Sequence, residues 1–106
     1  MQSATPSTTE VAALAQACSA LWLATLSLMT AFMQQPAPAH RYLLARRIAR
    51  NLATLRAQPE CFGRDTLQTF EALERRWQLK AERLAPAASE APRSGVLDRL
   101  QRLLAR

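Results

Sequence analysis

The side chains that most often carry protein chemistry are sparse in this chain. His40 is the only histidine, and Cys18 and Cys61 are the only cysteines. A nucleophile needs a base beside it and a group that orients the base. Neither cysteine has such a neighbour in sequence, and His40 sits in a proline-rich turn. The serines and threonines fall where they would cap helices or line one side of an apolar stretch. With Gly63 and Gly95 the only glycines, there is no glycine-rich phosphate loop, and neither G-x-S-x-G nor H-E-x-x-H occurs. No catalytic residue is assigned, and the chain is expected not to be an enzyme.

Metal chemistry is no better provided for. A structural zinc site takes about four ligands, usually in close pairs, and Cys18, Cys61 and His40 are too few and too scattered. No metal and no cofactor is expected. Cys18 reads instead as a core residue beside Leu14 and Leu21. The start, MQSATPSTTE, has no positive segment ahead of the apolar stretch, so a cleaved leader is not expected. That points to a reducing cytoplasm with both thiols free, and leaves open whether Cys18 and Cys61 come close enough to pair.

Charge is the strongest compositional feature. The formal net charge is +6 and the isoelectric point is near 11.0, a balance that draws acidic partners. All but one of the basic residues are arginine, a skew that a GC-rich genome also produces, so the charge is a weak guide to function. Between residues 40 and 56, Arg41, Arg46, Arg47, Arg50 and Arg56 occur with no acid among them. Such a helix suits phosphates, which makes Arg46, Arg47 and Arg50 candidates for phosphate or partner binding. A helix-turn-helix fits poorly, because the next connection is too long and the third helix carries Glu71, Glu74 and Glu82. The alternative is that these arginines face those glutamates, of the same chain or of a second subunit.

The elements that would position these groups are helices. Only Val11, Ile48 and Val96 are β-branched aliphatics, and alanine, leucine and arginine abound. Ser7-Thr8-Thr9-Glu10 matches a capping box, so a first helix should run to about Gln35, where Pro36 and Pro38 stop it. From Val11 to Met33 this helix holds no charge, long enough to cross a bilayer. Winding it at 3.6 residues per turn puts Val11, Leu14, Cys18, Leu21, Trp22, Leu26, Leu28, Met29, Phe32 and Met33 on one arc. The opposite arc is small or polar except for Leu23, which favours an amphipathic helix of a soluble protein over a membrane span. Close approach of a second helix to that small-residue arc suggests a homodimer, with Trp22, Leu26, Met29 and Met33 as interface candidates.

A second helix is expected over about Ala39 to Ala57, with Leu44, Ile48, Leu52 and Leu55 buried. Pro59 and Gly63 break the chain, Gly63 being able to supply a positive φ, while Cys61 and Phe62 plug the helix ends. A third helix should start with Asp65 as N-cap and bury Leu67, Phe70, Leu73, Trp77, Ala81 and Leu84. Residues 86–95 read as a flexible linker. Residues 96–106 read as a short amphipathic helix, with Leu97, Leu100 and Leu104 as interface candidates and Arg99 and Arg102 as candidates for partner or phosphate contact. It is too short to be stable alone.

The expected fold is all-α: a small antiparallel three-helix bundle over residues 7–85 after a flexible N-terminus (1–6), then the linker and terminal helix. Trp22, Phe32, Phe70 and Trp77 should anchor the core. The expected function is a non-enzymatic interaction module, homodimeric, binding a protein partner through an apolar groove or an arginine-rich face. A small nucleic-acid-binding protein is the alternative, and a membrane-inserted protein the third reading.

Overall fold

The computed structural model describes residues 7–89. Among them are three helices and no strand: α1 (Thr8–Gln34), α2 (Pro38–Arg56) and α3 (Arg64–Ser89). The all-α class follows.

α1 begins where the capping signal places it. The Ser7 hydroxyl accepts the Glu10 backbone N–H at 3.1 Å, from an extended backbone at Ser7. At the other end Gln35 turns back, its N–H donating to the Phe32 carbonyl. The Gln35 side chain accepts the Ala37 N–H at 3.2 Å. Pro38 then opens α2, in the first turn where a missing amide is no loss.

The interface between α2 and α3 is the most extensive contact in the molecule. Ile48, Leu52 and Leu55 of α2 are wholly buried, and Phe70 and Ala81 of α3 join them. Leu44, Leu67, Leu73, Trp77 and Leu84 are half-buried against this core. Ala45 and Ala49 are also buried, although the stripe read from large residues passes them by; small side chains let helices come close.

α1 lies against this pair with a narrow seam. Its buried residues Cys18, Thr25 and Phe32 stand seven apart, with the half-buried Leu21 and Leu28 between them and Leu14 one turn ahead of Cys18. That is the spacing of a helix that touches its neighbours along a single line. Two edge-to-face aromatic pairs tie it down: Trp22 on Phe70 with ring centroids 5.1 Å apart, and Phe32 on Trp77 at 4.9 Å. Arg41 lies over the Phe32 ring at 4.3 Å and Lys80 at 5.8 Å, so two cations face this aromatic. Residue numbers thus rise together along α1 and α3.

Several sequence expectations need correction. Thr25 sits in the core although the arc of large apolar residues does not include it. Its hydroxyl donates to the Leu21 carbonyl at 2.7 Å, which satisfies it inside its own helix. Leu26 and Met33, placed on the same arc as the core residues, point outward. Because buried residues recur every seven, the apolar arc drawn by winding is wider than the seam that is used. α3 starts one residue before Asp65: the Gly63 carbonyl accepts the Leu67 N–H at 3.0 Å, and Asp65 falls in the first turn. There its charge still suits the helix N-terminus. Gly63 takes no positive φ. The helix also continues through Ser89, past the expected boundary at 85. Ala85, Ala87 and Ala88 are strong helix formers, which offsets part of the cost that Pro86 imposes inside a helix.

Candidate functional site

Three places gather side chains with chemistry or exposed apolar area. The first is a groove of about 530 Å³ between α2 and α3, lined by Tyr42, Arg46, Ala49, Arg50, Ala53, Glu74, Gln78, Ala81, Glu82 and Ala85. Arg46 and Arg50 are one helical turn apart and so share a side, while Arg47 is exposed and lies outside the groove. The expected patch of three arginines is therefore two in a groove and one apart. Arg46 Nη1 donates to the Tyr42 hydroxyl at 3.3 Å, which holds the guanidinium at the rim. Alanines from both helices form the floor.

Acids share this groove. Glu74 is buried and ion-paired with Arg56, the last residue of α2. Its second oxygen accepts from Gln78 Nε2 at 3.1 Å. A buried carboxylate needs such partners to remain charged. Sequence periodicity misses Glu74 because it lies between Leu73 and Trp77 in a helix whose charges otherwise face water. A signal does exist: Arg56 ends the arginine-rich helix, and Glu74 lies on the face of α3 turned toward it. The expectation that arginines of the second helix face glutamates of the third is met here by Arg56. On the outer side of α3, Arg75 Nη2 lies 3.5 Å from Glu71 Oε1, the i,i+4 pair apparent in the sequence.

The second place is the outward side of α1. Leu23 is 63% exposed, Leu26 39% and Met33 81%, with Val11 near the helix start also exposed. Ser27 and Thr30, between the large residues, donate their hydroxyls to the carbonyls of Leu23 and Leu26. Their polarity is spent on the backbone, and the surface they present is correspondingly less polar. Of the interface candidates on this helix, Leu26 and Met33 face out. Trp22 and Met29 instead pack against the core, because both fall beside the inner seam. α1 is long and apolar enough to cross a membrane by length and composition, and only 11% of its most apolar window is buried.

The third place is where α1 passes the connection between α2 and α3. Cys18 of α1 and Cys61 of that connection stand with sulfurs 2.9 Å apart, the Cys18 thiol donating to Cys61 Sγ. Both are free thiols. Burial, followed by the hydrogen bond to Cys61, pushes the Cys18 thiol up to about 11. The Cys61 N–H donates to the Gln58 carbonyl at 3.1 Å, and Phe62 packs edge-on against Phe70 at 4.9 Å. The connection is thus a fixed plug, as its apolar residues suggested.

His40 is exposed at the start of α2. Among the described residues no group of three or more metal-ligating side chains occurs. Arg99, Arg102, Leu97, Leu100 and Leu104 lie outside the described residues, as do the expected terminal helix and residues 1–6. No family model, curated protein or solved structure matches the chain.

Proposed function

We propose that the protein is a non-enzymatic interaction module that pairs with a second copy of itself through the outward side of α1 and presents the α2–α3 groove to a protein partner. The observation that carries the first part is the exposure of Leu23, Leu26 and Met33 on a helix with no charge from Val11 to Met33. An uncharged face offers nothing to select a charged partner. A copy of itself is equally uncharged, and its small Ser19, Ala20 and Ser27 can receive the partner's leucines and methionine across a two-fold axis. Large and small residues then alternate across the contact.

Packing of the inner seam supports this reading over a membrane span. Phe70, Trp77 and Cys61 occupy that side of α1 from residue 18 to residue 32, and the elements that supply them carry arginines and glutamates. A bilayer would have to strip α1 from these contacts or take the charges with it. For the second part, Arg46 and Arg50 share their groove with Glu74 and Glu82. A mixed rim over an alanine floor suits a helix of a protein partner better than a run of phosphates.

Light scattering of the detergent-free chain after size exclusion tests the pairing. A discrete dimer is expected, and Leu23→Lys together with Leu26→Lys should convert it to a monomer with unchanged helix content. A wild-type chain that stays monomeric at high micromolar concentration, or a double variant that stays dimeric, overturns the reading.

A further inference from the structure

The Cys18–Cys61 pair plays no part in the proposed pairing. It lies on the inner seam, and its two sulfurs are held from opposite sides by rigid elements, a long helix and a packed connection. Their separation of 2.9 Å is within about 1 Å of a disulfide bond length. A pair of thiols that close needs only a small movement to bond. Cys18 is 6% exposed and is reached only past its neighbours, whereas Cys61 is half-buried and open to small solutes.

We propose that Cys18 and Cys61 form an oxidisable dithiol which a peroxide closes to a disulfide, locking α1 onto the α2–α3 pair. The Cys61 sulfur attacks a peroxide oxygen and the O–O bond breaks. The distal oxygen leaves with the thiol proton as water or alcohol, and Cys61 is left as a sulfenic acid. The Cys18 sulfur then attacks the Cys61 sulfur and the S–O bond breaks. The departing hydroxyl takes the proton of the Cys18 thiol and leaves as water. Two thiols lose two electrons in all, and the peroxide accepts them.

The chemistry assigns different roles to the two cysteines. Cys61 meets the oxidant because it is the reachable one. Cys18 resolves the sulfenic acid because its sulfur stands beside that of Cys61, and its burial keeps peroxide away from it. Once formed, the bond closes a loop of more than forty residues between the two positions. It therefore removes much freedom from the unfolded chain, and it acts on the helix whose contacts with the rest are narrowest.

The test starts from the reduced full-length chain, treated with stoichiometric hydrogen peroxide, then alkylated and weighed intact. The expected product has lost the mass of two hydrogens, takes up no alkylating agent, and remains a single chain on a non-reducing gel. Peptide mapping should join Cys18 to Cys61. Its thermal midpoint should rise by about 10 °C over the reduced chain and return with a dithiol reductant. Cys18→Ser should stop at a sulfenic acid on Cys61 that a cyclic dione traps. Free thiols after treatment, bonds between chains, over-oxidation of Cys61 in the wild type, or an oxidised chain no more stable than the reduced one would each overturn the proposal.

Discussion

The α2–α3 pair and α1 solve the same packing problem with opposite resources. α2 and α3 carry charged residues along much of their length, and their main apolar side is buried: Ile48, Leu52, Leu55, Phe70 and Ala81 interlock, while Leu43 and Leu79 stay exposed. α1 has no charge along its apolar stretch, so nothing marks its outside. It buries a thin seam of Cys18, Thr25 and Phe32 and leaves leucines and a methionine in water. Charges do more than solubilise a helix; they declare which face is the surface. A helix without them is fixed by a few aromatic contacts and keeps large apolar side chains on its outer side.

This contrast can be broken most forcefully at Leu52, which is wholly buried between the helices. Leu52→Ala should lower unfolding stability by about 3–4 kcal/mol, with α1 and the pair melting together in urea, because among the described residues α1 rests on that pair. Retention of more than half of that stability would mean that the pair is not the core.

Phe32→Ala sharpens the comparison. It removes the ring that joins Trp77, Arg41 and Lys80 and should cost about 3 kcal/mol. Hydrogen exchange should show the loss first in α1, with amides of α2 and α3 still protected. Equal loss of protection in all three helices would show that the seam is not a separate unit.

The smallest effect is expected at Ser7, whose hydroxyl caps α1. Ser7→Ala should cost about 1 kcal/mol, seen as faster exchange in the first turns of α1 and no change at Leu52. A change confined to α2 would contradict the cap.

Much of this molecule was legible in its sequence, for identifiable reasons. Capping chemistry is local, so Ser7 and the prolines at 36 and 38 marked two helix ends to within a residue. Amphipathic α2 and α3 showed their stripes because charged residues frame them. The α1 arc was less legible, because alanine, threonine and leucine carry little contrast: Thr25 went inside and Leu26 outside. The meeting of Cys18 with Cys61 is a long-range consequence of how the helices stack, and no spacing in the chain reveals it. That of Arg56 with Glu74 was legible only as arginines of one helix facing glutamates of another, not as a pair. Arg46 and Arg50 fell together by helical spacing alone, whereas the acids sharing their groove come from another helix.

Chain order adds a further demand. Every partner of α1's inner seam, from Arg41 to Trp77 and Lys80, follows it in the sequence. During synthesis the uncharged helix therefore leaves the ribosome before these partners of its inner seam exist, while α2 and α3, neighbours in sequence, meet through local contacts soon after they emerge. For that interval the inner seam of α1 lacks the aromatic and cationic side chains that cover it in the finished fold.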